Sequence, residues 1–261
     1  MVKIVSWNIN SVRARLGLLD KLIEEDQPDI LCLQETKVED ASFPASWFKD
    51  NGYTHHAIKG QKGYHGVATL SRVPIENIQM IDWCEKGDAR YIGCSLPDGT
   101  RLHNFYVPAG GDEPNPDIND KFAHKLRFLT EMEAWGKSLE GKHVLLGDLN
   151  IAPLETDVWS HKKLLKVVSH TPIEVEHLDR VFKSHNWYDA MRHFVPESKK
   201  LFSWWSYRSK DWVNADKGRR LDHIWVSKSL KPKLQTMFVK IAARGWERPS
   251  DHAPVILELD L

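Results

Sequence analysis

The sequence predicts an α/β fold in which strands form two packed sheets and helices cover the outer faces. Three observations lead there. Short apolar runs of strand length alternate with longer stretches whose apolar residues recur at helical spacing. Two of the runs, Asp29 to Gln34 and His143 to Leu149, are apolar enough to be covered on both faces. The 261 residues contain no low-complexity linker and no break in composition, so a single domain over residues 1–261 is expected.

The elements follow in order. Val2 to Ile9 reads as a strand. Val12 to Glu25 carries apolar residues at Leu16, Leu19, Leu22 and Ile23, which is helical spacing. Asp29 to Gln34 is the next strand. Gly66 to Ser71, Arg90 to Leu96 and Arg101 to Val107 read as further strands, the last two joined by the turn Pro97-Asp98-Gly99-Thr100. Asp117 to Leu139 reads as one long amphipathic helix, and His143 to Leu149 as a buried strand. A mixed helical and loop region runs from about Asp157 to Lys200. Phe202 to Tyr207, Arg220 to Ser227, Thr236 to Ile241 and Ala253 to Leu259 complete the strands.

Bulk composition narrows the class. Hydrophobic residues make up 41% and charged residues 28%, as in an ordinary water-soluble globular chain. Lys plus Arg and Asp plus Glu are both 36, so the total charge does not point to nucleic acid. A neutral total can still hide a basic face beside an acidic pocket. Cys32, Cys84 and Cys94 are odd in number and far apart, which argues against a disulfide framework or a zinc finger. Cys32 sits in the run Ile30-Leu31-Cys32-Leu33 and reads as a buried thiol in a reducing compartment. The chain starts directly as a strand, shows no signal-peptide pattern and has no run long enough to span a bilayer. The cytoplasm is the expected location.

Chemistry is written where strands end, because loops on a rigid scaffold carry function. Asn8 and Asn10 follow the first strand. Gln34-Glu35-Thr36-Lys37 follows the second, and a carboxylate there suits a hard cation. Tyr106-Val107-Pro108-Ala109-Gly110-Gly111 and Gly147-Asp148-Leu149-Asn150 follow two more. Ser250-Asp251-His252 precedes the last strand, and Arg220-Leu221-Asp222-His223 places a carboxylate within another. Singly, an Asp or Asn at a strand end is commonly a turn former, and a Tyr before Pro a packing residue. A charged group directly after a buried strand, as at Glu35 or Asp148, needs a partner. The joint pattern carries the inference.

Taken together, Ser6-Trp7-Asn8-Ile9-Asn10, Leu33-Gln34-Glu35-Thr36-Lys37, Tyr106-Val107-Pro108, Gly147-Asp148-Leu149-Asn150, Arg220-Leu221-Asp222 and Ser250-Asp251-His252 resemble the exonuclease III family of AP endonucleases. That family belongs to the endonuclease/exonuclease/phosphatase superfamily and has a deoxyribonuclease-I-like fold. The resemblance spans nearly the whole chain with the blocks in family order. It implies a four-layer sandwich and a Mg2+-dependent DNA phosphodiesterase, with Mn2+ as a substitute. The implied substrate is double-stranded DNA with abasic sites or blocked 3′ ends, and the implied state a monomer.

The resemblance also implies roles. Glu35 is the main metal ligand, and Asn8, Asn10, Asp148, Asn150, Asp251 and His252 lie around the ion. Asp148 activates or orients the attacking water, and Asn150 positions that aspartate or the phosphate. His252 donates to a phosphoryl oxygen, its ring fixed by Asp222, and Tyr106 contacts the scissile phosphate or assists the leaving group. Trp204 and Leu221 wall a pocket for a flipped-out baseless sugar, which rejects an intact nucleotide by bulk. In a strand, Trp205 faces the opposite way from Trp204. Arg208, Lys210, Lys217, Arg219, Arg220, Arg244 and Arg248 offer charge to DNA phosphates. Two departures from the family stand out: Ala109 where Asn is common, and Asp216 where Asn is expected. Two other readings remain open. One is an inositol-phosphate or lipid phosphodiesterase of the same superfamily. The other is a DNA-binding module without catalysis, which predicts gaps in the catalytic set.

Overall fold

The structure is a computed structural model and describes residues 1–261. Its strands, numbered in chain order, begin with β1 (Val2–Asn8), β2 (Ile30–Gln34), β3 (His55–Lys59), β4 (Val67–Ser71) and β5 (Glu76–Gln79). Next come β6 (Tyr91–Ser95), β7 (Arg101–Tyr106), β8 (His143–Asp148), β9 (Tyr188–Asp189) and β10 (Trp204–Trp205). The last are β11 (Gly218–Arg219), β12 (Asp222–Val226), β13 (Leu234–Val239) and β14 (Val255–Leu259).

Two six-stranded mixed sheets result, in the orders β13-β14-β1-β2-β4-β3 and β5-β6-β7-β8-β12-β9. Each holds one parallel pair, β1–β2 and β7–β8, and is otherwise antiparallel. A parallel pair needs a crossover, and helices supply it. Leu16–Asp26 joins β1 to β2, and Asp120–Lys137 joins β7 to β8. The first helix ends at Gln27, whose left-handed φ of 47° turns the chain into β2. The second begins at Asn119, whose side chain accepts the Lys121 N–H.

The alternation of side chains along each strand then builds three cores. Ile4, Ile30, Cys32, Leu102, Val144, Leu146, Ile224 and Val255 fill the space between the sheets. Val5, Trp7, Leu31 and Leu33 pack outward onto Leu19, Leu22 and Ile23. Phe105, Leu145 and Trp225 pack outward onto Phe128, Leu129, Leu178 and Val181. Helix, sheet, sheet and helix make the four layers, in agreement with the expected fold class. All three cysteines are free and buried. No helix is long and apolar enough to cross a membrane.

The structure departs from the expected elements in places. β3 and β5 went unread: β3 buries only Ala57 fully, and β5 is exposed throughout, so neither shows an apolar pattern. The strand expected over Phe202–Tyr207 shrinks to Trp204–Trp205, paired with Gly218–Arg219 in a separate ribbon. A turn at Ser206 ends it, with the Arg208 N–H on Ser206 Oγ. The helix expected from Val12 starts with a tight turn at Arg13–Arg15 and becomes α-helical only at Leu16.

Candidate active site

Register assembles the site. β7, β8 and β12 lie side by side with Tyr106 opposite Asp148 and Asp148 opposite Asp222. In the other sheet Asn8 pairs with Gln34, so Glu35 emerges beside it. These ends meet: Asn8 Nδ2 donates to Glu35 Oε1 at 2.9 Å and to Asp148 Oδ2 at 2.9 Å, bridging the two sheets. Gly147 makes the approach possible, since its φ is 137° and a Cβ there would clash with the Phe105 backbone. Asn10, Glu35 and Asn150 all take left-handed backbone, at φ 47°, 52° and 55°. Such conformations are uncommon outside glycine and cluster where function over-determines the chain.

Glu35 is held on both oxygens. Oε1 also accepts the Tyr106 hydroxyl at 2.9 Å, and Oε2 pairs with Lys37 Nζ at 2.7 Å. Burial pushes the Glu35 carboxyl up, but the Lys37 charge and the Asn8 bond outweigh it and hold the group below its usual range. Burial, reinforced by the negative charges of Glu35 and Asp148, holds Tyr106 well above the ordinary phenol range, so it stays a donor. Lys37 Nζ also donates to Asn10 Oδ1 at 2.6 Å, and Asn10 Nδ2 reaches Asp251 Oδ1 at 3.2 Å. Asp251 Oδ2 in turn accepts Trp204 Nε1 at 3.0 Å.

On the other side of Asp148, Oδ1 accepts the Asn150 N–H at 3.0 Å and Oδ2 accepts Asn150 Nδ2 at 3.2 Å. His252 Nδ1 donates to Asp222 Oδ2 at 2.8 Å, leaving Nε2 at 3.7 Å from Asp148 Oδ2. Burial pulls the His252 pKa down, but Asp222 and Asp148 overcome it and push it up to about 10. Burial raises Asp148 to about 7, opposed by the His252 charge and assisted by Asp222. The ring therefore keeps its proton near neutral pH, while burial leaves Asp148 poised to take one up.

The expected residues thus stand in one place. Glu35, Asp148, Asn150, Asp251 and His252 line a cavity of about 830 Å3. Trp204 and Leu221 form part of its apolar wall, and Arg208, Lys217 and Arg219 its basic margin. Trp205 faces away into a core with Phe202 and Ala253, as alternation required. Lys210 is exposed and does not line the cavity. Arg220 is turned under the sheet onto Asp189 at 2.6 Å and is 1% exposed, so it offers no charge to a ligand. Arg244 is also buried, against the Trp205 carbonyl. Asn8, expected at the ion, has its Oδ1 taken by the Asn10 N–H at 3.1 Å and presents its NH2 to the carboxylates. Asp216 turns away from the cavity toward Trp205 and Lys200.

Four contributors escaped the sequence reading. Ser203 Oγ donates to Asp222 Oδ2 at 2.6 Å and accepts the Leu221 and Asp222 N–H groups at 3.1 Å. Trp159 faces Trp204's pocket from a loop with no regular pattern. Tyr207 contacts Asn10 across 197 positions of sequence, which nothing local signals. Lys125 has a readable signal, since it falls between Phe122 and Leu129 on the buried helical stripe.

The donor set fits a divalent cation. Glu35 and Asp251 both line the cavity, and the Lys37 ammonium bridges oxygens of Glu35 and Asn10, so the oxygen donors here suit a hard divalent cation. Asp148, Asp222 and His252 also place ligand-type atoms within 4.8 Å of one another, a second group able to hold a metal ion.

Comparison with known proteins agrees with this geometry. Residues 5–252 match the Endonuclease/Exonuclease/phosphatase family. Exodeoxyribonuclease III of Haemophilus influenzae is 33% identical over 98% of this chain and 99% of its own length. The structure of an AP endonuclease from Archaeoglobus fulgidus superposes with a TM-score of 0.93 at 31% identity, covering all of both chains. A 3′ phosphatase from Neisseria, bound to a product DNA hairpin, gives 0.91 at 31% identity over all of both chains. Sequence match, fold and convergent strand ends lead to one conclusion: the chain belongs to the endonuclease/exonuclease/phosphatase family, in its exodeoxyribonuclease III branch.

Proposed function

We propose that this protein is a Mg2+-dependent DNA phosphodiesterase of base excision repair. It incises 5′ to abasic sites, trims 3′ ends of double-stranded DNA, or does both. One observation carries the reading: a single cavity joins a cation-suited carboxylate, a buried Asp-His-Asp array and an apolar wall that includes Trp204 and Leu221. The reaction is placed in the cytoplasm, and the working unit is one monomer with one catalytic domain.

Glu35, with Asp251 and Asn10, would hold the ion. When bound, it neutralises phosphoryl charge and polarises the P–O bonds. Asp148 orients the attacking water and accepts its proton, held in aim by Asn8 and Asn150. His252 presents Nε2–H to a phosphoryl oxygen, where a preformed donor stabilises developing charge. Tyr106, whose hydroxyl donates to Glu35, would contact the scissile phosphate or assist the leaving group. Trp204 and Leu221 accept the sugar and exclude an attached base by bulk. The complete set from Glu35 to His252 gives no support to a non-catalytic binding module.

The test is a duplex with one abasic site, incubated with Mg2+ and then with chelator, with the product ends mapped. Metal-dependent cleavage 5′ to the lesion, or stepwise 3′ loss, is expected. Asp148→Asn should lower kcat by about 10²–10⁴-fold, the range of a positioned proton acceptor, while Mn2+ binding persists. Glu35→Ala should abolish Mn2+ binding and cleavage together. Near wild-type turnover in either variant overturns the role assignment, and an uncut duplex overturns the function.

A further inference from the structure

Lys125 lies on the helix Asp120–Lys137, is wholly buried and does not itself line the cavity. An ammonium taken out of water needs strong partners. It has three: Glu174 Oε1 at 2.5 Å, the Asn150 carbonyl at 2.8 Å and the Ala109 carbonyl at 3.2 Å. Every N–H is used. Ala109 lies three residues beyond Tyr106, and Asn150 two beyond Asp148. The lysine therefore ties together the loops that leave β7 and β8 at the site.

Neighbouring geometry is shaped to it. Gly110 has a φ of 92°, and a Cβ there would lie 3.0 Å from Lys125 Cδ, so glycine lets the chain close on the lysine stem. Glu174 accepts the Ser169 N–H at 2.9 Å and the Thr171 N–H at 3.1 Å, extending the tie to the cavity wall, where Ser169 stands. Asn150, in left-handed backbone, passes the constraint to Asp148 through its own N–H and amide. Stability alone does not account for the pair, because a buried ion pair is commonly no more stabilising than packed apolar groups.

We propose that Lys125 is a positioning residue: its ammonium sets the Asn150 backbone and the loop after Tyr106, and so holds the Asp148 carboxylate in its reactive place. The kinetic part rests on the nuclease reading above.

Three variants test this: Lys125→Met, Glu174→Gln and the double variant K125M/E174Q, with thermal unfolding and abasic-duplex kinetics on each. The double variant removes both charges with near-isosteric groups and should unfold close to wild type. Its kcat should still fall on the order of 100-fold, with KM within about threefold, as for a misaimed rather than missing group. Glu174→Gln leaves Lys125 able to donate to both carbonyls and should lose far less kcat than the double variant, even if it melts lower. Should Lys125→Met alone fail to fold, the Glu174→Gln and double variants still give the comparison. Activity that follows melting temperature across the series, or a double variant at wild-type kcat, overturns the inference. A readout without substrate separates it from the nuclease reading. Hydrogen exchange at the Asn150 amide should quicken about tenfold or more in the double variant, as expected for a locally released loop. Unchanged exchange there overturns the inference whatever the enzyme cuts, whereas a wild-type protein that leaves the duplex intact overturns only the nuclease reading.

Discussion

His252 shows how much of this site is decided one residue at a time. Its ring is buried, which alone would strip its proton, yet Asp222 at 2.8 Å and Asp148 at 3.7 Å reverse the outcome. The folded pKa of about 10 lies above the ordinary histidine value. The linkage therefore contributes stability in full below pH about 6.5, the unfolded value, and that contribution is lost as pH rises toward the folded one. Two results are expected of the metal-free protein. The His252 imidazole resonances should be those of a protonated ring at pH 8, and melting temperature should fall between pH 7 and 10 more steeply than in Asp222→Asn. A neutral ring at pH 8 would sink this account. Asp222 and His252 were both readable as site residues, and the family resemblance implied their pairing; the distance between them was not readable. They stand 30 positions apart, and only the β12 register and the Ser203 clamp set the distance.

At the scale of elements, the parallel pair β7–β8 does the placing. Tyr106 and Asp148 are register partners, and the close approach depends on Gly147. Gly147→Ala puts a methyl group against the Phe105 carbonyl in a backbone region that disfavours side chains. A loss of about 2–4 kcal/mol is expected, combining a strained conformation with displaced packing. Chemical denaturation measures it, and a loss under about 0.5 kcal/mol, the size of a neutral surface change, would show that the pairing tolerates the methyl. The buried strands β2 and β8 were legible because their apolar runs have no other home than between two layers. The edge strands β3 and β5 were not, since an edge needs no apolar pattern. The tryptophan segment was legible in its alternation but not its length, because a turn at Ser206 overrode the β-propensity of its aromatics.

For the whole molecule, the zero net charge conceals a sorted surface. Acidic groups are gathered inside the cavity, while Arg208 and Lys217 stand at its margin. Binding of duplex DNA should weaken linearly in log-log form as salt rises, with a slope of about −0.9 for each phosphate neutralised. Arg208→Gln and Lys217→Gln should each flatten that slope by about 1, with little effect on any sequence preference. A slope already flat in the wild-type protein would exclude this surface from DNA contact. Arg219 belongs with this margin but is also a structural tie, donating to the Val168 carbonyl at 3.0 Å and to Ser169 Oγ at 2.7 Å.

The residues alone determined the fold class, the strand ends that carry chemistry and the resemblance to one nuclease family. Burial and backbone conformation are local enough to leave periodic and positional marks. The tertiary structure alone decided that Asn8 bridges the two sheets by its amide hydrogens, that Arg220 is turned inward, and that Lys125 ties two loops from beneath. Each of these depends on distances between groups far apart in the chain. Charge, solvation and hydrogen-bond direction follow those distances, and no local pattern encodes them.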